Sequence, residues 1–280
     1  MSATVAAPLA SSKSARTDTQ RAPRVAAITL GLLLAGAALA PLLAPYAMDA
    51  LDLANRRAPP STRHWFGTDE LGRDLLTRVL FGARVSLAIG IVSALVSAAI
   101  GAAVGAVAGY AGRLTDDVLM RITDAMLAIP RLPLLMIAAA VLQPSVPMLV
   151  LLVGLAGWME TARVVRAEVL SLAARDFVSA ARAIGASPAR VLIRHVLPGV
   201  LPATAVATTL AVGRGILLES ALSFFGVGVQ PPTASWGNML YQAQTTMTSE
   251  PWLAIFPGAM IFVTVLACNA VGDAIGELRS

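Results

Sequence analysis

Few residues in this 280-residue chain could do covalent or metal chemistry, and they are scattered. His64 and His195 lie far apart, and His64 with Asp69 would offer only two ligands, a poor metal site. Cys268 stands alone in an apolar run, so neither a disulfide nor a cysteine metal site can be built within the chain, and the expectation is a small buried hydrophobe. A phosphate-binding loop needs a lysine after a glycine-rich turn, because its ammonium must reach the terminal phosphates. Lys13, the chain's lysine, sits in Ser11-Ser12-Lys13-Ser14 with no glycine near it. No serine-centred nucleophile elbow occurs either, so no catalytic constellation is in view and the chain is expected to be neither an ATPase nor another enzyme.

A second set carries charge in unusual places. Arg121, Asp124, Arg131, Arg214 and Glu219 lie within or beside apolar stretches, where an ionised group is costly unless it meets a partner or water. Such groups pair with one another or line a passage. Arg121 and Asp124 are three apart on one helix and could pair locally. Arg214 and Glu219 are five apart, about 140° around a helix, so each is expected to find its partner on another segment.

A third set could dock a partner. Phe177, Ala180, Ala181 and Ile184 follow the spacing of one helical face, with Ser179 between them. Gly185 can take the left-handed conformation that ends such a helix. Ser187 and Pro188 suit the cap and first position of a second helix, which leads into an apolar run at Leu197-Pro198. Small side chains at Ala180 and Ala181 would let another surface approach closely.

The elements that hold these residues follow from composition. The chain is 57% hydrophobic and only 13% charged, against about 25% charged in a soluble domain. Its mean hydropathy is +0.74. The runs 25–48, 85–112, 132–159 and 251–272 contain no Asp, Glu, Lys or Arg. A span needs roughly 20 apolar residues. The third run is interrupted by Gln143, Pro144, Ser145 and Pro147, read as a turn between two spans. With 196–225 the expectation is an all-α integral membrane protein of about six transmembrane helices. Gly101, Gly105 and Gly109, four apart, would permit close helix packing.

The net charge of +5 does not point to nucleic acid, because the basic residues form no single patch with interleaved aromatics. They cluster at the ends of apolar runs, as topogenic residues do. Lys13, Arg16, Arg21 and Arg24 would hold the N-terminus in the cytoplasm, and six spans would return the C-terminus there. Arg163, Arg166, Arg175, Arg182, Arg190 and Arg194 then also fall inside. Against this, the expected outer segment 49–84 carries six arginines among five acids. Residues 1–24, rich in Ala, Ser and Thr, read as a disordered tail. The following run is too long for a usual signal-peptide core, so it is taken as an uncleaved first span.

Three blocks carry a family resemblance. The stretch 176–188, continuing to Leu197-Pro198, resembles the EAA loop of ABC importer permeases, with Ala-Ala, three residues, Gly and a later Leu-Pro in register; Ser179 stands where that family usually has Glu. His64, Gly67-Thr68-Asp69-Glu70-Leu71-Gly72-Arg73-Asp74 and Gly82-Ala83-Arg84-Val85-Ser86-Leu87 resemble the opening of the second permease of dipeptide, oligopeptide and nickel importers. Leu222 to Pro232 (with Gly226, Gly228, Pro231 and Pro232) and Ser235-Trp236-Gly237-Asn238-Met239-Leu240 resemble that family's outer loop before its last span. Leu75, Leu76, Val79 and Leu80 would lie along a helix at the membrane interface.

The resemblance implies a type I ABC importer transmembrane fold in a bacterial inner membrane, with a cytoplasmic coupling helix that enters a cleft on an ATPase. It implies a heterodimer with a homologous permease, two ATPase subunits that bind the ATP and Mg, and an extracytoplasmic binding protein. That protein would meet the outer loop at Trp236 and Asn238. The cargo implied is a di- or oligopeptide, with nickel, a metal chelate or another small solute as alternatives. The expected layout is a tail at 1–24, a first span and outer loop at 25–83, a transmembrane domain at 84–273 with its coupling loop at 176–198, and a tail at 274–280. An ion-gradient-driven transporter would more naturally show broken helices with ion-coordinating groups and an inverted repeat, neither evident in the sequence. A scaffold without transport would have no use for the EAA-like loop.

Overall fold

The computed structural model describes residues 13–142 and 145–277. Gln143, Pro144 and the first half of the expected N-terminal tail, 1–12, lie outside the described residues, as do 278–280. The regular elements among the described residues are all helical: α1 (Lys13–Ala38), α2 (Ala40–Leu43), a 3-10 turn (Leu53–Asn55), α3 (Leu75–Tyr110), α4 (Arg113–Ala128), α5 (Arg131–Leu142), α6 (Val146–Ala173), α7 (Asp176–Ala183), α8 (Pro188–Val191), a π turn (Leu192–Val196), α9 (Leu197–Phe224), α10 (Trp236–Ala243) and α11 (Trp252–Glu277). A helix already runs from Lys13, where the composition suggested a disordered tail.

Four helical stretches among the described residues are long and apolar enough to cross a membrane: α3, α6, Pro188–Phe224 and α11. A fifth arises if α4 and α5, bent by 81°, are one broken span. This differs from the expected six for two reasons. Within α1 the apolar part, Pro23–Ala38, is shorter than a full span. The α4–α5 break follows from Pro130, which has no N–H and disfavours helical backbone at the residue before it; Ile129 is extended, with φ −78° and ψ 125°.

Leu75 and Val79 do not lie on a separate interfacial helix. They open α3, whose start Asp74 caps by accepting from the Thr77 N–H at 2.8 Å, and they are buried against Met239, Ala243 and Leu253. With 36 residues α3 is ~54 Å long, well beyond a hydrocarbon core of ~30 Å. It forms the centre of the fold, packing on α6 and α9, while α1 lies outside it against α3 and α11. The glycine row works as its spacing suggests: a Cβ on Gly101 would stand 2.6 Å from Thr161 Cβ, and one on Gly105 2.4 Å from the Ala162 carbonyl oxygen. Any larger side chain would force α3 and α6 apart, so dispersion contact between these helices depends on the missing side chains.

Candidate functional site

The segment expected to couple is α7, a tight turn, α8 and the π turn. Its turn is a Schellman motif: the Ala186 N–H donates to the Ala181 carbonyl at 3.1 Å and the Gly185 N–H to the Arg182 carbonyl at 3.0 Å. Gly185 has φ +85°, the conformation expected of it. Ser187 precedes Pro188 at the start of α8, but its hydroxyl makes no capping bond. The π turn sits just before Pro198, whose ring would clash with the Arg194 carbonyl of a regular helix; the wider turn relieves that crowding.

The four face residues of α7 do not act together. Ala181 is buried with Val178 in a core formed by Val165, Val169, Leu172, Val191, Val196 and Val200. Phe177 and Ile184 are exposed, at 46% and 86%, and Ser179 and Ala180 are exposed as well. Spacing alone joined 177, 180, 181 and 184 into one stripe. The helix instead turns 178 and 181 toward the ends of α6 and α9 and presents 177, 180 and 184 outward. Leu197 is half-buried at the edge of this core and Pro198 is exposed. The Arg182 guanidinium lies 5.6 Å from the Tyr110 ring, tying α7 to the end of α3.

At the opposite end of α3, the segment before it folds back with the loop around α10. Asp69 accepts from Arg73 Nε at 2.6 Å and lies 3.5 Å from Arg78 Nε. His64 pairs with Asp74 rather than Asp69, Nδ1 to Oδ1 at 3.0 Å. Arg57 faces Glu250 and Arg63 faces Asp52. The arginines that sat awkwardly in an outer segment are therefore largely held in ion pairs.

Trp236 and Asn238 occupy this module, and both are buried within it rather than lying on its surface. Ser235 and Asn238 form a capping box for α10, and the Asn238 amide also donates to the Thr233 carbonyl at 2.6 Å. The Trp236 indole N–H donates to the Val79 carbonyl at 3.1 Å. The aromatic ring thus fills the core between α3 and α10 instead of marking an interface. Pro231 and Pro232 are exposed, Gly226 has φ +79°, and Gly228 packs so closely that a Cβ would stand 2.4 Å from the Ser223 Cα.

Four of the five charged residues expected in the spans also find partners, while Arg121 is exposed. Glu219 is fully buried and is held by hydroxyls: Ser86 donates at 3.1 Å and Ser223 at 2.8 Å. Arg131 donates to Glu160 Oε1 at 2.8 Å, and Arg214 pairs with Glu160 Oε2. Arg214 thus finds a partner on another helix, as its position relative to Glu219 suggested. Asp124 pairs with Arg163 at 2.5 Å rather than with Arg121, and Asp116 with Arg166 on α6, so α4 is strapped to α6. The sequence reading missed Glu160 because it begins a charged stretch after an apolar run and so looks like a helix end. It sits in the middle of α6.

Comparison with known proteins covers most of the chain. Residues 101–278 match the family described as binding-protein-dependent transport system inner membrane component. The oligopeptide transport system permease protein OppC of Bacillus subtilis (strain 168) is 35% identical over 253 residues, covering 90% of this chain and 83% of that protein. The glutathione transport system permease protein GsiD of Escherichia coli O6:K15:H31 is 39% identical over 259 residues, covering 92% and 86%. Its counterpart in Shigella sonnei is 40% identical over 259 residues, with the same coverage. An all-helical, multi-spanning chain that matches a family model over more than half its length, and permeases over nearly all of it, belongs to the family of binding-protein-dependent transport system inner membrane components.

Proposed function

We propose that this chain forms half of the pathway by which an ATP-driven importer moves peptides delivered by an extracytoplasmic binding protein. Family membership makes it a non-catalytic membrane subunit whose ATP and Mg are handled by separate ATPase subunits. The cargo assignment rests on relatives whose named cargoes, oligopeptides and glutathione, are peptidic. Its partners are a homologous second permease, two ATPases and the binding protein. Six spans, with Pro23–Ala38 and the bent α4–α5 pair completing the set, leave both termini cytoplasmic in the bacterial inner membrane.

One observation carries the coupling role: α7 exposes Phe177, Ala180 and Ile184 while its other edge, Val178 and Ala181, is packed into the ends of α6 and α9. A push on the exposed edge passes directly to two spans. The test is the complete importer in proteoliposomes carrying Phe177→Asp with Ile184→Asp. Peptide uptake and peptide-stimulated ATP hydrolysis are expected to fall together while the amount of this subunit in the membrane stays at wild type. Normal uptake would remove α7 as the coupling element.

A further inference from the structure

Glu160 joins two arginines from different helices. Each of its carboxylate oxygens meets one guanidinium, Oε1 with Arg131 and Oε2 with Arg214. Arg131 is the first residue of α5, where the α4–α5 pair bends by 81°, and Glu160 and Arg214 lie in the interiors of α6 and α9. The cluster is therefore placed beside the spans, at the break between α4 and α5.

Its accessibility differs from that of Glu219. The side chains of Arg131, Glu160 and Arg214 are 22%, 36% and 42% exposed, whereas Glu219 is closed in by serines. Charges in spans that keep access to their surroundings face water or a protein cavity, since hydrocarbon would not solvate them. The peripheral helix α1 packs on α3 and α11, while this cluster belongs to α5, α6 and α9. The exposed side is thus consistent with a passage rather than with the outer, α1-covered flank.

Charge decides what such a passage would hold. Two arginines and one glutamate leave a net +1. Both glutamate oxygens are engaged, but each guanidinium uses only one terminal nitrogen in these contacts and retains further donors. An arginine fork with free donors suits a carboxylate, which it can bind through two parallel bonds. We infer that Arg131 and Arg214, held apart by Glu160, form a transient binding step for the carboxylate of the cargo as it crosses the membrane. The inference rests on the peptide-permease reading and adds the chemical group that is recognised beside the spans. Glu160 is a positioning residue here: it orients both forks and keeps their hold on the anion weak enough for release.

The experiment uses the complete importer in proteoliposomes with saturating binding protein, and two probes, trialanine and trialanine C-terminal amide. Uptake by each variant is divided by wild-type uptake of the same probe, which cancels the binding protein's own preference. Arg214→Gln is expected to lower the trialanine ratio on the order of tenfold relative to the amide ratio, the scale of a lost charge-assisted contact. Arg214→Lys, which keeps the charge, should restore part of the difference. Equal loss with both probes, or no loss, overturns the inference and leaves the cluster purely structural. If Arg214→Gln does not reach the membrane, Glu160→Gln decides the matter. It removes the carboxylate charge and one of the two acceptor oxygens that hold the guanidinium groups, and should change the acid-to-amide ratio, so an unchanged ratio overturns the inference. A wild-type importer that moves neither probe would instead sink the peptide reading itself.

Discussion

The Ser86 hydroxyl donates to Glu219 Oε2 at 3.1 Å while its oxygen accepts the Trp236 backbone N–H at 3.1 Å, so one side chain on α3 joins α9 to the start of α10. All three residues are buried. Ser86→Ala would leave both a buried N–H and a buried carboxylate short of a partner, at a cost of about 1–3 kcal/mol. Trp236→Ala should cost more, about 3–5 kcal/mol, because it also empties a large core volume. Thermal unfolding of the detergent-purified protein followed by tryptophan fluorescence would rank the Ser86 variant; a circular-dichroism melt suits the Trp236 one. Melting at the wild-type temperature in both would contradict this account of the contacts among α3, α9 and α10.

Neighbouring alanines on α7 should behave differently. Ala181→Glu places a carboxylate in an apolar core with no cation among the residues that form it, where an uncompensated charge costs about 3–5 kcal/mol. The subunit should be scarce in the membrane. Ala180→Glu lies on the exposed edge, so abundance should stay normal and ATPase coupling should fail instead. Immunoblots of membranes beside ATPase assays separate the two, and equal abundance of both variants would show that the helix is turned the other way.

Gly185 tests the turn alone. A Cβ there would meet nothing within 4 Å, so the cost of Gly185→Val is purely that of the φ +85° backbone, roughly 1–2 kcal/mol. Gly185→Asn, which tolerates that region better, should recover much of the uptake lost by Val. Equal activity of the Val and Asn variants would mean that the left-handed conformation is not required for coupling.

Topology can be read with cysteine reagents. Cys268, the chain's cysteine, is buried and should label weakly, leaving a low background. Cysteines at Ser187 and Thr233 should react from opposite sides of the membrane. Reaction of both with an impermeant reagent added to one side would rule out the six-span arrangement.

Much of this protein was legible without coordinates. Uncharged runs marked the main spans because hydrocarbon tolerates so few ionised groups, and the lone lysine without a glycine loop removed a P-loop site. The Gly185 turn and the packing row of Gly101 and Gly105 were also readable, since both are local demands on a backbone or on a repeating helical face. What the sequence could not decide was which neighbours would meet. The stripe through Phe177, Ala180, Ala181 and Ile184 is one face by spacing, but the choice of Val178 and Ala181 as the inward edge depends on how α6 and α9 end beside it. Trp236 and Asn238 looked like surface residues because a Gly- and Pro-rich loop usually is one; their burial comes from α10 packing against α3, 157 positions away for the Trp236 bond to Val79. In the same way Asp124 chose Arg163 over the nearer Arg121, and Arg131 and Arg214 met at Glu160. Ion pairs between helices are set by how the helices cross, and that geometry exists only once the chain has packed.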